Sequence, residues 1–159
     1  MSSAHARRVE VPPAIGADEE FAGSDYASAF ELAVPEAGFR TPEQWARAVF
    51  EGAPLVLRWM VTLGWTVVLR LRLGPRRSPE HILGWRIADS GAGSITLTSR
   101  SRLITAHNVV VVRDSSVVWV TFVRFDRRIA RPVWAVVAPV HHLTIPYLLR
   151  RAHRSRAGG

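Results

Sequence analysis

Residues 131–151 read RPVWAVVAPVHHLTIPYLLRR, and the fold turns on how this stretch is read. Between Pro132 and Leu149 there is no Asp, Glu, Lys or Arg, and arginines close the stretch at both ends. Val133, Val137, Val140, Thr144, Tyr147 and Leu148 recur at three- and four-residue steps, which places them on one face of a helix. Ala135, Ala138, His142 and Pro146 fall on the opposite face, with His141 at the edge of the buried one. Pro132 suits the first helical turn, where its missing N–H costs nothing. Pro139 and Pro146 follow at seven-residue steps, and each opens the helix on its own side. The spacing predicts a long C-terminal helix, convex toward solvent and laid with its concave side against a sheet.

At 159 residues the chain is long enough for one domain with a sizeable core. It has no Cys, which excludes disulfides, thiolate nucleophiles and Cys-ligated metals. No HExxH motif is present, and only Glu80, Asp89, Asp114 and Asp126 are acidic after residue 52, so neither a metal site nor a cofactor is indicated. All 21 basic residues are Arg. Residues 1–52 hold four Arg and nine acids, a net charge of −5, whereas residues 53–159 hold 17 Arg and four acids, a net charge of +13. The N-terminus lacks the apolar core of a secretory signal, which points to the cytoplasm or the inner face of its membrane. The stretch 132–149 falls short of the roughly 20 residues of a membrane span and contains two interior prolines and two histidines.

Residues 1–24 show no period and are rich in small, Pro and acidic residues. They read as a disordered arm whose deletion leaves the domain folded. Residues 26–34 alternate as a strand with one apolar face, ended by Pro35. Thr41-Pro-Glu-Gln44 is a capping box opening a helix over Trp45, Val49 and Phe50 that stops at Gly52. A second helix starts near Pro54; residues 67–73 fit its continuation or a short strand. Four strand-like runs follow, at 81–88, 94–101, 103–113 and 117–125. The valine run 109–112 implies burial on both faces or a bulge. A strand, two helices, an antiparallel meander and a long helix make an α+β domain over 25–154, followed by a disordered tail at 155–159.

This order, a curved antiparallel sheet wrapped around a long C-terminal helix, resembles the START-like helix-grip (SRPBCC, polyketide cyclase-like) superfamily. The phrases LGWRI (83–87), TFVRFDRRIARPVWAVVAPVHH (121–142) and YLLRRA (147–152) resemble one bacterial family of unknown function within it. The resemblance implies an enclosed cavity for a hydrophobic ligand between sheet and helix, and it supplies no catalytic residues.

Candidates for the cavity wall are Trp59, Trp85, Arg86, His107, Trp119, Val137, Val140, His141 and Tyr147, with Leu97 and Val109 as further sheet positions. The adjacent His141 and His142 point about 100° apart on a helix and cannot chelate one metal. A histidine on a buried edge is more often a satisfied core group than a reagent. The tryptophans serve equally as core, and a strand arginine such as Arg86 more often faces solvent than a ligand carboxylate. No serine stands in a nucleophile elbow and no glycine-rich loop precedes a helix. The expected function is binding of an apolar metabolite or lipid. A cyclase or aromatase on the same fold, using His107, His141 or Arg86, is the alternative. The arginines at 150, 151 and 154 suit an anionic membrane surface. Nucleic-acid binding is disfavoured, because the arginines are dispersed and no recognition motif is present. Oligomeric state has no signature here.

Overall fold

The computed structural model describes residues 5–157. Strand β1 (Ala6–Val9) is followed by the short helices α1 (Pro13–Gly16) and α2 (Glu19–Ala22) and by β2 (Tyr26–Ala33). Helices α3 (Pro42–Phe50) and α4 (Leu55–Leu63) come next. The chain then forms β3 (Arg77–Ser78), β4 (His81–Ile82), β5 (Trp85–Ser90), β6 (Ser94–Arg100), β7 (Ile104–Val112), β8 (Ser116–Phe125) and α5 (Ala130–Ala157). The strands form one curved, fully antiparallel sheet of eight in the order β1-β2-β8-β7-β6-β5-β4-β3. The protein is α+β, with a long C-terminal helix over one face of the sheet.

Strand alternation sends side chains to two cores. Phe30 and Leu32 of β2, Leu97 of β6, Val110 of β7 and Trp119 of β8 enter the concave core with Trp45, Val49 and Phe50 of α3. Val109, Val118, Val120 and Phe122 enter a smaller core on the convex face. The valine run of β7 is therefore buried on both faces, one of the two expectations for it.

The convex core overturns the reading of residues 1–24 as a disordered arm. Residues 1–4 lie outside the described residues, but β1 pairs with β2 from Ala6↔Leu32 to Val9↔Ala29. Asp18 caps α2 through Glu20 N (2.9 Å). That turn seats Phe21 on Phe122 with ring centroids 4.4 Å apart and planes 1° from parallel. Val9, Val11 and Ile15 pack beside them. These apolar residues follow no helical or strand period because they come from three short elements, so a periodicity argument passes over them. The tail reading is corrected as well: α5 continues to Ala157, while 158–159 lie outside the described residues.

The capping box at Thr41 and Gln44 forms as expected, with both reciprocal hydrogen bonds present. Trp45 Nε1 donates to the Ala37 carbonyl (3.0 Å) and fixes α3 against the chain leaving β2. Arg47 reaches across to the carbonyls of Ser78 (2.8 Å) and His81 (3.2 Å), tying α3 to the far edge of the sheet. The run 81–88 is a hairpin, not one strand. Leu83 and Gly84 both have positive φ, 47° and 92°, and Ile82 pairs with Trp85 across this tight turn. A Cβ on Gly84 would stand 2.8 Å from that of Leu73. Residues 67–73 are only partly helical: a π-helical turn, Gly64–Val68, extends α4, and an irregular segment with buried Leu69 and Leu71 follows.

Phe21→Ala is expected to lower unfolding free energy by about 3 kcal/mol, the usual cost of truncating a packed Phe. Deletion of residues 5–24 should destabilise the domain further. Urea denaturation checks both, and unchanged midpoints would return this segment to the status of a dispensable arm.

Candidate ligand cavity

Helix α5 is apolar around most of its circumference, so hydrophobic period alone does not set which side faces in. The buried residues are Ala130, Trp134, Ile145, Leu148, Leu149 and Ala152. This flank packs on β2, β1 and α3. Trp134 meets Tyr26 edge-on at 5.0 Å, and the Tyr26 hydroxyl and His142 Nε2 share a hydrogen bond of 2.5 Å. His142 is thus turned toward β2, not outward as the sequence predicts. Arg40 Nη1 donates to the Ala152 carbonyl (2.8 Å) and pins the far end of the helix. Val137 and Val140, expected on the cavity wall, and Thr144 of the same predicted face lie on a neighbouring flank that hangs over open space.

That space is a cavity of about 330 Å³, within the size range of ligand sites. Its floor is the concave face of the sheet: Trp85 of β5, Ile104, Ala106 and Asn108 of β7, and Thr121 and Val123 of β8. Its sides are α5 and the pair formed by α4 and its π-helical extension, which contributes Met60, Val61, Trp65 and Val68. The cavity is not enclosed as expected: its wall residues Met60 of α4, Val68 of the π-helical turn, and Val136 and Val140 of α5 are exposed to solvent. Among the described residues no Arg, Asp or Glu lies on the wall. The floor is stiffened by edge-on aromatics: Phe50 with Trp65 (5.1 Å) and Trp119 (5.0 Å), and Trp65 with Trp85 (5.6 Å). Asn108 Oδ1 accepts from Trp119 Nε1 (3.0 Å) and Thr121 Oγ1 (2.7 Å), so the amide is held within a buried network.

Four of the predicted wall residues, Trp85, Val137, Val140 and His141, come together here. The others do not. Trp119 lies fully buried off the wall, and Leu97 is likewise core. Tyr147 packs at the edge of the concave core. Trp59 is 65% exposed on the outer side of α4. Arg86 is exposed on β5, opposite Thr98. His107 and Val109 point to the convex face, where Phe21 lies against the His107 ring at 5.2 Å and Glu20 is 3.8 Å from its Nδ1. Strand parity decides this, since His107 is one residue out of phase with Ala106 and Asn108. Trp65 was missed, although six residues at 100° each put it well round the helix from Trp59, so both could not face inward. Of the terminal arginines, Arg151 and Arg154 are exposed and Arg150 is half-buried.

His141 is the one titratable group on the described wall. Burial, aided by the neighbouring His142 and by Arg8, lowers its pKa from 6.5 to about 3. It is neutral at physiological pH, and its buried Nε2 has no hydrogen-bond partner among the described residues. The indole N–H groups of Trp85 and Trp134, also wall residues, are likewise buried and without a partner among the described residues. No group of side chains among the described residues could hold a metal ion. Comparison of the chain with protein-family models, curated proteins and solved structures returns no match.

Because His141 titrates lower folded than unfolded, the unfolded chain binds its proton first. Stability associated with this residue is intact above pH 6.5 and is lost as pH falls from 6.5 toward 3. His141→Gln should therefore flatten the acid limb of a melting-temperature profile across that window. An acid limb as steep as that of the unsubstituted protein would show that His141 is not buried as described.

Proposed function

We propose that this protein is a START-like, helix-grip carrier or sink for an uncharged apolar small molecule or lipid, held between the sheet and helix α5. The observation that carries the reading is the wall: aliphatic and aromatic groups from three β-strands and three helices surround about 330 Å³, with no formal charge among the described residues. Apolar surface left unfilled forgoes packing that a ligand can restore. The sparse polar groups at the wall suit a ligand with one acceptor oxygen, which the indole N–H of Trp85 or Trp134, or the ring of His141, could meet after a small side-chain rotation. A charged head would have to remain at the mouth, because burying it unpaired is costly. The element order, and the phrases that resemble a START-like family, support the same assignment.

A cyclase-like enzyme is the second reading, and His141 favours it as a neutral imidazole beside the cavity. No second acid or base faces it across the described wall, so binding without turnover has the stronger support.

A panel of neutral apolar compounds (fatty alcohols, sterols, polycyclic aromatics) tests the reading by thermal shift. A ligand at 100 times its Kd stabilises by about 2.7 kcal/mol. In a domain of this size that raises the melting temperature by about 5–10 °C. Val137→Trp should abolish the shift while its own unliganded melting temperature stays near that of the unsubstituted protein. Absence of a shift across the panel, or shifts that survive the tryptophan, would remove both readings.

A further inference from the structure

Helix α4 exposes its more apolar side. Leu57, Arg58, Val61, Thr62 and Trp65 are half-buried, while Leu55, Val56, Trp59 and Leu63 face solvent, Val56 and Trp59 by 79% and 65%. This is the reverse of a water-facing helix in a soluble domain. Helix α5 does the same on its free flank, where Val136 and Leu143 are 74% and 76% exposed. The two surfaces belong together. Met60, Val68, Val136 and Val140 are at once exposed and part of the cavity wall, so the apolar face surrounds the cavity mouth. An exposed apolar area contributed by two neighbouring helices marks an interaction site.

Charge identifies the occupant. No acidic residue occurs between Glu51 and Glu80 or after Asp126. Exposed arginines flank the two apolar helices along the chain: Arg70 and Arg72 after α4, Arg127, Arg128 and Arg131 at the start of α5, where Asp25 and Asp126 lie beside them, and Arg151 and Arg154 at its end. An apolar centre with a cationic rim is the pattern of helices that lie in a membrane interface. A second copy of the chain would set one arginine rim against another, which like-charge repulsion opposes. Helix α5 is also long and apolar enough to cross a bilayer by length and composition, with 25 residues in Ala130–Arg154. Its hydrogen bonds to Tyr26 and Arg40 hold it along the domain, so its free flank meets a membrane side-on.

We propose that α4 and the free flank of α5 form a docking face that inserts shallowly into an anionic lipid bilayer, with the arginine rim on the headgroups and the cavity mouth turned toward hydrocarbon. The docking stands on exposure and charge alone. Transfer of a ligand through the mouth without crossing water rests, in addition, on the cavity reading. The arginine contribution is not confined to the C-terminal positions 150, 151 and 154, because the cluster at 127, 128 and 131 lies at the other end of the same helix.

Flotation with vesicles of phosphatidylcholine alone, or mixed with phosphatidylglycerol, tests the face. The full chain is expected to float with the mixed vesicles and weakly with the neutral ones. Trp59→Asp with Leu63→Asp should reduce partitioning about tenfold or more, since two charges would enter the interface. Arg127→Gln with Arg128→Gln and Arg131→Gln should weaken binding mainly at low salt, where the rim is least screened. All of these positions lie off the cavity wall, so binding of the neutral fluorophore 1-aminoanthracene in vesicle-free buffer should persist in every variant. That control separates the two claims: loss of flotation with retained fluorophore binding leaves the cavity standing, and the converse leaves the docking face. Failure of the unsubstituted protein to float at low salt, or undiminished flotation of the aspartate pair, would overturn the proposal. So would sedimentation showing a dimer that the aspartate pair dissociates, which would assign the face to self-association.

Discussion

The cavity exists because α5 is fastened along one flank only. Trp134 and His142 pack on Tyr26 of β2, Ile145, Leu148, Leu149 and Ala152 enter the concave core beside α3, and Arg40 holds the carbonyl of Ala152. These attachments set the helix toward the β1–β2 side of the sheet. The floor strands β5, β7 and β8 are left with no helix packed directly on them along part of their length. The apolar groups there, Trp85 and Val123 among them, are covered at a distance by α4. If α5 rolled toward β5, Val137 and Val140 could close the gap. The pairing of Tyr26 with His142 and the seating of Trp134 oppose that roll, so space and fastening are two sides of one constraint.

The second support is behind the sheet. A curved sheet with a cavity on its concave face has less packing on that side than a solid core would give. The convex core formed by Phe21, Phe122, Val118 and Val120 adds burial on the other face, and the N-terminal segment supplies its cover. The segment that looks dispensable in the sequence is thereby linked to the cavity it never touches.

Much of the architecture was legible from residues alone. The capping box at Thr41, the alternation in residues 26–34, the valine run at 109–112 and the proline-spaced apolar stretch at 131–151 each carry a local rule that the structure follows. The misreadings share one cause, ambiguous phase. A helix apolar on several sides does not declare its buried flank, so His142 was read as outward. A strand apolar on both faces does not declare parity, which misplaced His107 and Val109. Trp59 and Trp65 look alike in composition, and only the geometry around the π-helical turn puts Trp65 against Trp85 and leaves Trp59 in solvent. Phe21 had no period to reveal it, because one residue on a single helical turn makes none.

The central claim is that apolar ligands enter the space between α5 and the concave face, and methyl-resolved NMR addresses it most directly. Titration of isotope-labelled protein with 1-aminoanthracene should shift the methyl resonances of Ile104, Val123 and Val137 through the ring current of the bound aromatic, while Val109 and Val118 on the convex face stay in place. Saturating probe that moved neither set, or moved both faces alike, would contradict the account and leave α5 as the cover of a closed core.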